Sequence, residues 1–226
     1  MDFTRGNFGQ ITSTYPEIVK ALLTDAEKAG AWTEGIESDK KHRGSSINVD
    51  LYSWDEGSGI ALVQVRECVF HPKRFNRVRK DYYLLGRNEN GQVFAHPANV
   101  RASGRVVNGD ISAGVKLALS RIWDCDERDL DDIVRNGDVA FVPIRALPNG
   151  AELVEGNSAT IRDSHHVKAL YDGQVWKLGQ QLYVTGRAKI EHVKGQHPTA
   201  RVRGGIWRVQ AGIKARTWGF SAPTKD

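Results

Sequence analysis

The sequence predicts an α+β protein: an N-terminal antiparallel sheet with helices, then a small C-terminal β-barrel or sandwich. Three observations predict it. Apolar residues recur at helical spacing in only two long windows, 14–31 and 110–123. Elsewhere the apolar residues fall in short, β-branched runs. Those runs are separated by turn residues such as Asn90-Gly91, Asp172-Gly173 and Gly204-Gly205. The expected organisation is an α+β region over 1–109, a helical connector over 110–136 and a β-rich, histidine-containing domain over 137–226.

Each element has its own signal. Thr14 and Glu17 form a capping box ahead of Ile18, Leu22, Ala26 and Ala29, which share one helical face. Residues 33–45 are polar and read as a loop. Ile47 to Tyr52 alternates as a half-buried strand, and Ile60 to Phe70 is a longer β-branched run. Val78–Leu85 and Gln92–Ala95 follow, joined through Asn90-Gly91, where both residues accept positive φ. Asp110 is placed to cap a second helix with Ile111, Val115, Leu119 and Ile122 on one face. A short acidic helix over about 126–135 is expected next, closed by Asn136-Gly137. Short strands are then predicted at 139–144, 151–154, 165–170, 175–178, 181–185, 188–192, 200–202 and 206–210.

Bulk properties bound the function. The 226 residues carry a net charge of +5, and the isoelectric point is about 9.2. Cations cluster between Arg66 and Arg87 and between Arg187 and Arg216, while acids cluster at 124–132, which suggests a surface facing a polyanion. The two cysteines, Cys68 and Cys125, make no disulfide framework or Cys-x-x-Cys site. Free thiols and the absence of an apolar leader point to a cytoplasmic protein. No apolar run is long enough to cross a membrane, so no membrane partner is expected.

Four of the seven histidines, His165, His166, His192 and His197, fall in one C-terminal stretch. Imidazole binds metals and moves protons near neutral pH. His165, His192 and His197 are the expected ligands of a divalent transition metal (Zn, Fe, Ni or Mn), with Glu191 or Asp163 as carboxylate donors. Without a metal, His166, His192 and His197 are the expected acid–base residues for phosphodiester cleavage. Adjacent strand residues point to opposite faces, so only one of His165 and His166 is expected to face a shared site. His197-Pro198-Thr199 is similar to half of the signature of 2H phosphoesterases, and a second copy is absent.

Basic and aromatic residues alternate from Cys68 to Tyr83. Lys73, Arg74, Arg77, Arg79 and Lys80, with Arg201 and Arg203 further on, are the expected contacts to nucleic acid. Cations neutralise phosphates, and aromatic rings stack on unpaired bases.

Asn136-Gly137-Asp138-Val139-Ala140-Phe141-Val142-Pro143, Ser164-His165-His166, His197-Pro198 and Gly205-Ile206-Trp207-Arg208-Val209-Gln210 together resemble a pattern in uncharacterised bacterial and phage β-domain proteins. That pattern runs Gly-Asp-Val-x-x-x-Pro, Gly-His-x-His, a histidine-rich segment and Pro-x-Gly-x-Tyr-Arg-Val-x-x-Gln. The resemblance covers about residues 135–210. Here Ser164-His165-His166 replaces Gly-His-x-His, and Trp207 replaces the tyrosine. It implies a recurrent domain and brings no activity with it.

Three functions are open on this reading. One is a nucleic-acid-binding protein, RNA included, whose histidines support metal-dependent or acid–base phosphodiester cleavage. The second is a non-catalytic nucleic-acid or protein adaptor with structural histidines. The third is a metal-binding β-barrel acting on a small molecule.

Overall fold

The computed structural model describes residues 3–5, 17–28, 46–69, 77–87, 91, 93–98 and 111–212. For 3–5, 27, 46–50, 65–69 and 77–79 it describes the backbone alone. The fold is α+β, dominated by antiparallel sheet. The chain divides into two compact units: residues 1–118 with 215–226, and residues 119–214. The division falls inside a helix, and the segment expected as a helical connector also supplies a strand to the second unit.

In the first unit, β1 (Phe3–Arg5), β2 (Ser46–Asp55), β3 (Ile60–Val69), β4 (Arg77–Arg87) and β5 (Val93–Pro97) lie side by side in chain order. β1 runs parallel to β2, and the remaining pairs are antiparallel. Helix α1 (Glu17–Lys28) buries Val19, Leu22, Leu23 and Ala26 against Leu51, Trp54, Ala61, Val63, Tyr83 and Leu85. Burying each of the two leucines stabilises the unit by about 2 kcal/mol. Ile18 was expected on that face and instead points to solvent at 61% exposure. Val19 and Leu23, one position on from Ile18 and Leu22, turn the apolar stripe toward the sheet. Thr14 and Ala29 lie outside the described residues.

Helix α2 (Ala113–Trp123) is capped from the sheet. The Ser53 hydroxyl on β2 donates to the Ile111 carbonyl and accepts the Val115 N–H. The pairing register of β2 shifts between Leu51 and Ser53, and such an irregularity re-aims a side chain. Gly114 lets the helix approach, since a Cβ there would lie 2.8 Å from that of Ser53. Asp110, the expected cap, lies outside the described residues.

In the second unit the acidic stretch forms only a 3-10 turn, Glu127–Asp132. Val134–Asn136, expected as helix, is strand β6. Asn136-Gly137 closes no helix; it turns the chain from β6 into β7 (Val139–Ile144), with Gly137 at φ +58°. The strands β8 (Glu152–Leu153), β9 (Ser158–Ile161), β10 (His165–Ala169), β11 (Gln174–Leu178), β12 (Gln181–Thr185), β13 (Ala188–His192), β14 (Ala200–Val202) and β15 (Ile206–Ala211) follow. They form a six-stranded sheet, β6-β7-β15-β12-β11-β8, and a four-stranded sheet, β14-β13-β10-β9. Both sheets contribute to one core, which includes Phe141, Val167, Val175, Val184, Ile190, Val202 and Val209. Among the described residues neither sheet closes into a barrel.

Candidate functional site

The four-stranded sheet sorts the functional side chains onto two faces. In β10 burial alternates: His165 and Val167 are buried, and His166 and Lys168 are exposed. In β13, Ala188 and Ile190 are buried, whereas Lys189 and Glu191 are partly exposed. His165 pairs directly with His192, and His166 with Glu191. The period of two therefore gives His165 to the interior and His166 to the surface.

Three imidazoles converge on the inner side. The ring centroids of His165 and His192 are 4.8 Å apart, those of His192 and His197 5.5 Å, and those of His165 and His197 6.5 Å. His197 reaches this point on the loop between β13 and β14. Asn136 Nδ2 donates to the Pro198 carbonyl at 2.5 Å and ties that loop to the β6–β7 turn. The His197 ring lies against Gly137, where a Cβ would come within 2.6 Å of the ring. Asp138 completes the cluster, with Oδ1 3.7 Å from His165 Nε2. Arg162 holds Asp138 at 3.2 Å and donates to the Gly212 carbonyl at 2.7 Å.

The protons follow from the hydrogen bonds. His192 Nδ1 accepts the Lys194 N–H at 3.1 Å, so the neutral ring carries its proton on Nε2. His165 Nδ1 shares a 2.9 Å hydrogen bond with the Ser164 hydroxyl. His165 Nε2 is buried without an atom in hydrogen-bonding geometry. Burial pushes the His165 pKa below the ordinary histidine value. Asp138 opposes this, positive charge on His192 or His197 adds to it, and the Asn136 backbone opposes it.

Imidazoles suit late transition metals, yet among the described residues no group of three or more His, Cys, Asp or Glu side chains is arranged to hold a metal ion. The His192 hydrogen bond also counts against ligation there. Turning His192 Nε2 into a ligand means stripping its proton or giving up the Lys194 bond at Nδ1. Glu191, an expected carboxylate donor, is on the opposite face and accepts a hydrogen bond from Lys189 at 2.6 Å. Asp163 is exposed in the β9–β10 turn. The chemistry this cluster offers directly is proton transfer. His166, expected among the acid–base residues, is not brought to it, because its ring bonds Thr160 Oγ1 at 3.0 Å on the outer face.

That outer face is basic. Lys168, Lys189 and Arg201 are successive cross-strand partners on β10, β13 and β14. Arg187 and Arg203 continue the outward-facing positions of β13 and β14 by one more row, and both are exposed. Three cations hold the Glu191 carboxyl below its ordinary pKa: Lys189, through its hydrogen bond and charge, then Arg201 and Lys168. Lys80 on β4 is exposed in the first unit, where Arg77 and Arg79 occupy backbone positions of the same strand. Lys73 and Arg74 lie outside the described residues.

Sequence reasoning named the three converging histidines, Arg201 and Arg203. It missed Asp138, Asn136 and Gly137, which reach the histidines only through a hairpin turn. It also left Lys168 out of the basic surface, although period two from His166 marks it. Comparison with protein-family models, curated proteins and solved structures finds no match to this chain. No helix among the described residues is long and apolar enough to cross a membrane.

Proposed function

We propose that this is a nucleic-acid-binding protein of the cytoplasm whose C-terminal unit, read as a two-sheet sandwich, binds the phosphate backbone on the outer face of β9, β10, β13 and β14. One observation carries the reading: Lys168, Lys189 and Arg201 stand opposite one another across three adjacent strands. Like charges facing across strands destabilise a sheet; Glu191, opposite His166 in the neighbouring row, pairs with Lys189 at 2.6 Å and offsets part of that charge. A polyanion relieves that repulsion and releases counterions as it binds.

The test is fluorescence anisotropy with labelled oligonucleotides over a salt series. Affinity is expected to fall steeply with salt. The double variant Lys168→Glu/Arg201→Glu is expected to weaken binding at least tenfold and to flatten the slope. Binding that ignores salt and the double variant would sink the proposal.

The histidine cluster favours a second reading, acid–base phosphodiester cleavage by the same protein. His192 and His197 are in ring contact and only partly buried. In that reading one imidazole takes the proton of the attacking oxygen while the other, protonated, supplies the leaving oxygen. Cleavage of a labelled oligonucleotide, lost in His192→Gln and His197→Gln with binding to the outer face retained, supports it. Intact oligonucleotide after prolonged incubation with the wild-type protein leaves the binding function alone standing.

A further inference from the structure

Tyr171 is 89% exposed, the most exposed of the large hydrophobic side chains among the described residues. It sits in the β10–β11 turn at φ +54°, a left-handed conformation that bulky L residues avoid. The turn around it is tightly held. The Leu170 N–H donates to the Arg187 carbonyl at 2.8 Å, and the Gly173 N–H donates to the Leu170 carbonyl at 2.9 Å. Gly173 packs so closely on Arg187 that a Cβ would fall 2.0 Å from its carbonyl oxygen. The fold therefore fixes an aromatic ring in solvent on an unfavourable backbone and gains little burial from it. Strain of this kind is kept where it serves a site.

The Arg187 guanidinium lies over the Tyr171 ring, 5.4 Å from its centroid. This cation–π contact orients the ring. Arg187 immediately precedes β13, two residues before Lys189. The cationic surface of Lys168, Arg187, Lys189, Arg201 and Arg203, offset by Glu191 and by Asp172 at 4.0 Å from Arg187, thus ends at an exposed aromatic ring.

We infer that Tyr171 is a stacking platform for an unpaired base, and that the occupant of this outer face is a single-stranded nucleic acid. The inference rests on the proposed nucleic-acid reading and narrows it. Backbone cations alone bind single strands and duplexes. For a nucleic-acid occupant, a ring standing in solvent at the end of the cationic rows can stack on a base that is free of its partner, because paired bases keep their faces within the duplex stack. Successive strands are about 4.8 Å apart, so the rows across β10, β13 and β14 span roughly 10 Å. That length accommodates a few nucleotides leading to the ring.

The experiment measures anisotropy of the full chain with four probes of equal length: single-stranded RNA, single-stranded DNA of the same sequence, the corresponding DNA duplex, and an abasic sugar-phosphate strand. Tyr171→Ala is expected to weaken binding of at least one base-bearing single strand about tenfold, within the range that loss of one stacked base produces. It is expected to leave the abasic strand unaffected. Tyr171→Phe is expected to restore binding. Tyr171→Gly is expected to lose binding while gaining thermal stability, because glycine accepts the positive φ without strain.

Wild-type affinity in Tyr171→Ala, an equal loss on the abasic strand, or a preference for the duplex would overturn the inference while leaving a backbone-binding protein intact. Failure of the wild-type protein to bind any probe would instead overturn the nucleic-acid reading beneath it.

Discussion

At the residue scale, the decisive choice is which of two adjacent histidines turns inward. Strand alternation required one of them to do so, and the apolar neighbour Val167 settles which: His165 shares its parity and its burial. The alternation was legible in the sequence, which nevertheless left both His165 and His166 as candidates. The proximity of Asp138 was not legible, because a residue beside a turn approaches a distant strand only through the path of the β6–β7 hairpin. The burial of His165 has a pH consequence. Its folded pKa lies below the ordinary value, so below about pH 6.5 the unfolded chain binds a proton that the folded chain refuses. Stability is therefore full above that pH and falls as the solution is acidified, until the folded pKa is passed. Acting alone, one such proton contributes at most about 1.4 kcal/mol per pH unit. Urea midpoints measured from pH 7.5 to 5 are expected to fall in the wild type and to fall less steeply in His165→Gln. That variant is expected to be less stable at pH 7.5, since it disturbs the contact with His192. Parallel pH profiles for the two proteins would remove His165 as the origin of the acid sensitivity.

At the element scale, periodicity placed both long helices, Glu17–Lys28 and Ala113–Trp123, and turn chemistry placed most of the chain reversals. Asp172-Gly173 and Gly204-Gly205 mark real turns, each carrying the chain from the four-stranded sheet to the six-stranded one rather than closing a hairpin. Asn136-Gly137 was also a turn signal, but beside an acidic stretch it read as a helix end. The structure uses it as a hairpin, and Val134–Asn136 pairs with Val139–Phe141. β9 escaped detection because Ser158, Ala159, Thr160 and Ile161 are small or single-sided, and its pairing with β10 supplies what its own sequence lacks. The β10–β11 turn makes the sharpest prediction at this scale. Gly173 is buried with its Cα against the Arg187 carbonyl, and an added Cβ would meet backbone rather than a side chain able to move. Gly173→Ala is expected to destabilise the protein by about 2–4 kcal/mol, within the range for backbone strain and overpacking combined. It is also expected to displace Tyr171 from beneath Arg187. Chemical denaturation checks the first effect. Loss of single-strand affinity with the abasic strand still bound checks the second. A variant as stable as the wild type would show that the turn has room the geometry does not allow it.

At the scale of the whole molecule, the sequence separated an N-terminal sheet-and-helix region from a C-terminal β region, and the structure has two compact units. The boundary was harder to see. A helix of continuous apolar pattern gives no sign that Ala118 and Leu119 fall in different units. The second unit holds its own core, and its start is tied to its last strand. Arg208 on β15 donates to the Trp123 carbonyl at 3.0 Å and pairs with Asp124 at 2.7 Å. A fragment from Ile111 to Lys214, keeping α2 whole, is therefore expected to unfold in one cooperative transition. It also contains every cation of the proposed binding face and Tyr171, but none of the basic stretch from Lys73 to Lys80. Each phosphate contact to a single strand adds about −0.7 to the slope of log affinity against log salt. If the C-terminal face carries binding, the fragment is expected to match the full chain within about threefold in affinity and to within about one contact in slope. Loss of three or more contacts from the slope would move the main interface to the N-terminal basic stretch. A fragment with no cooperative transition by calorimetry would show that the second unit depends on the first for its stability.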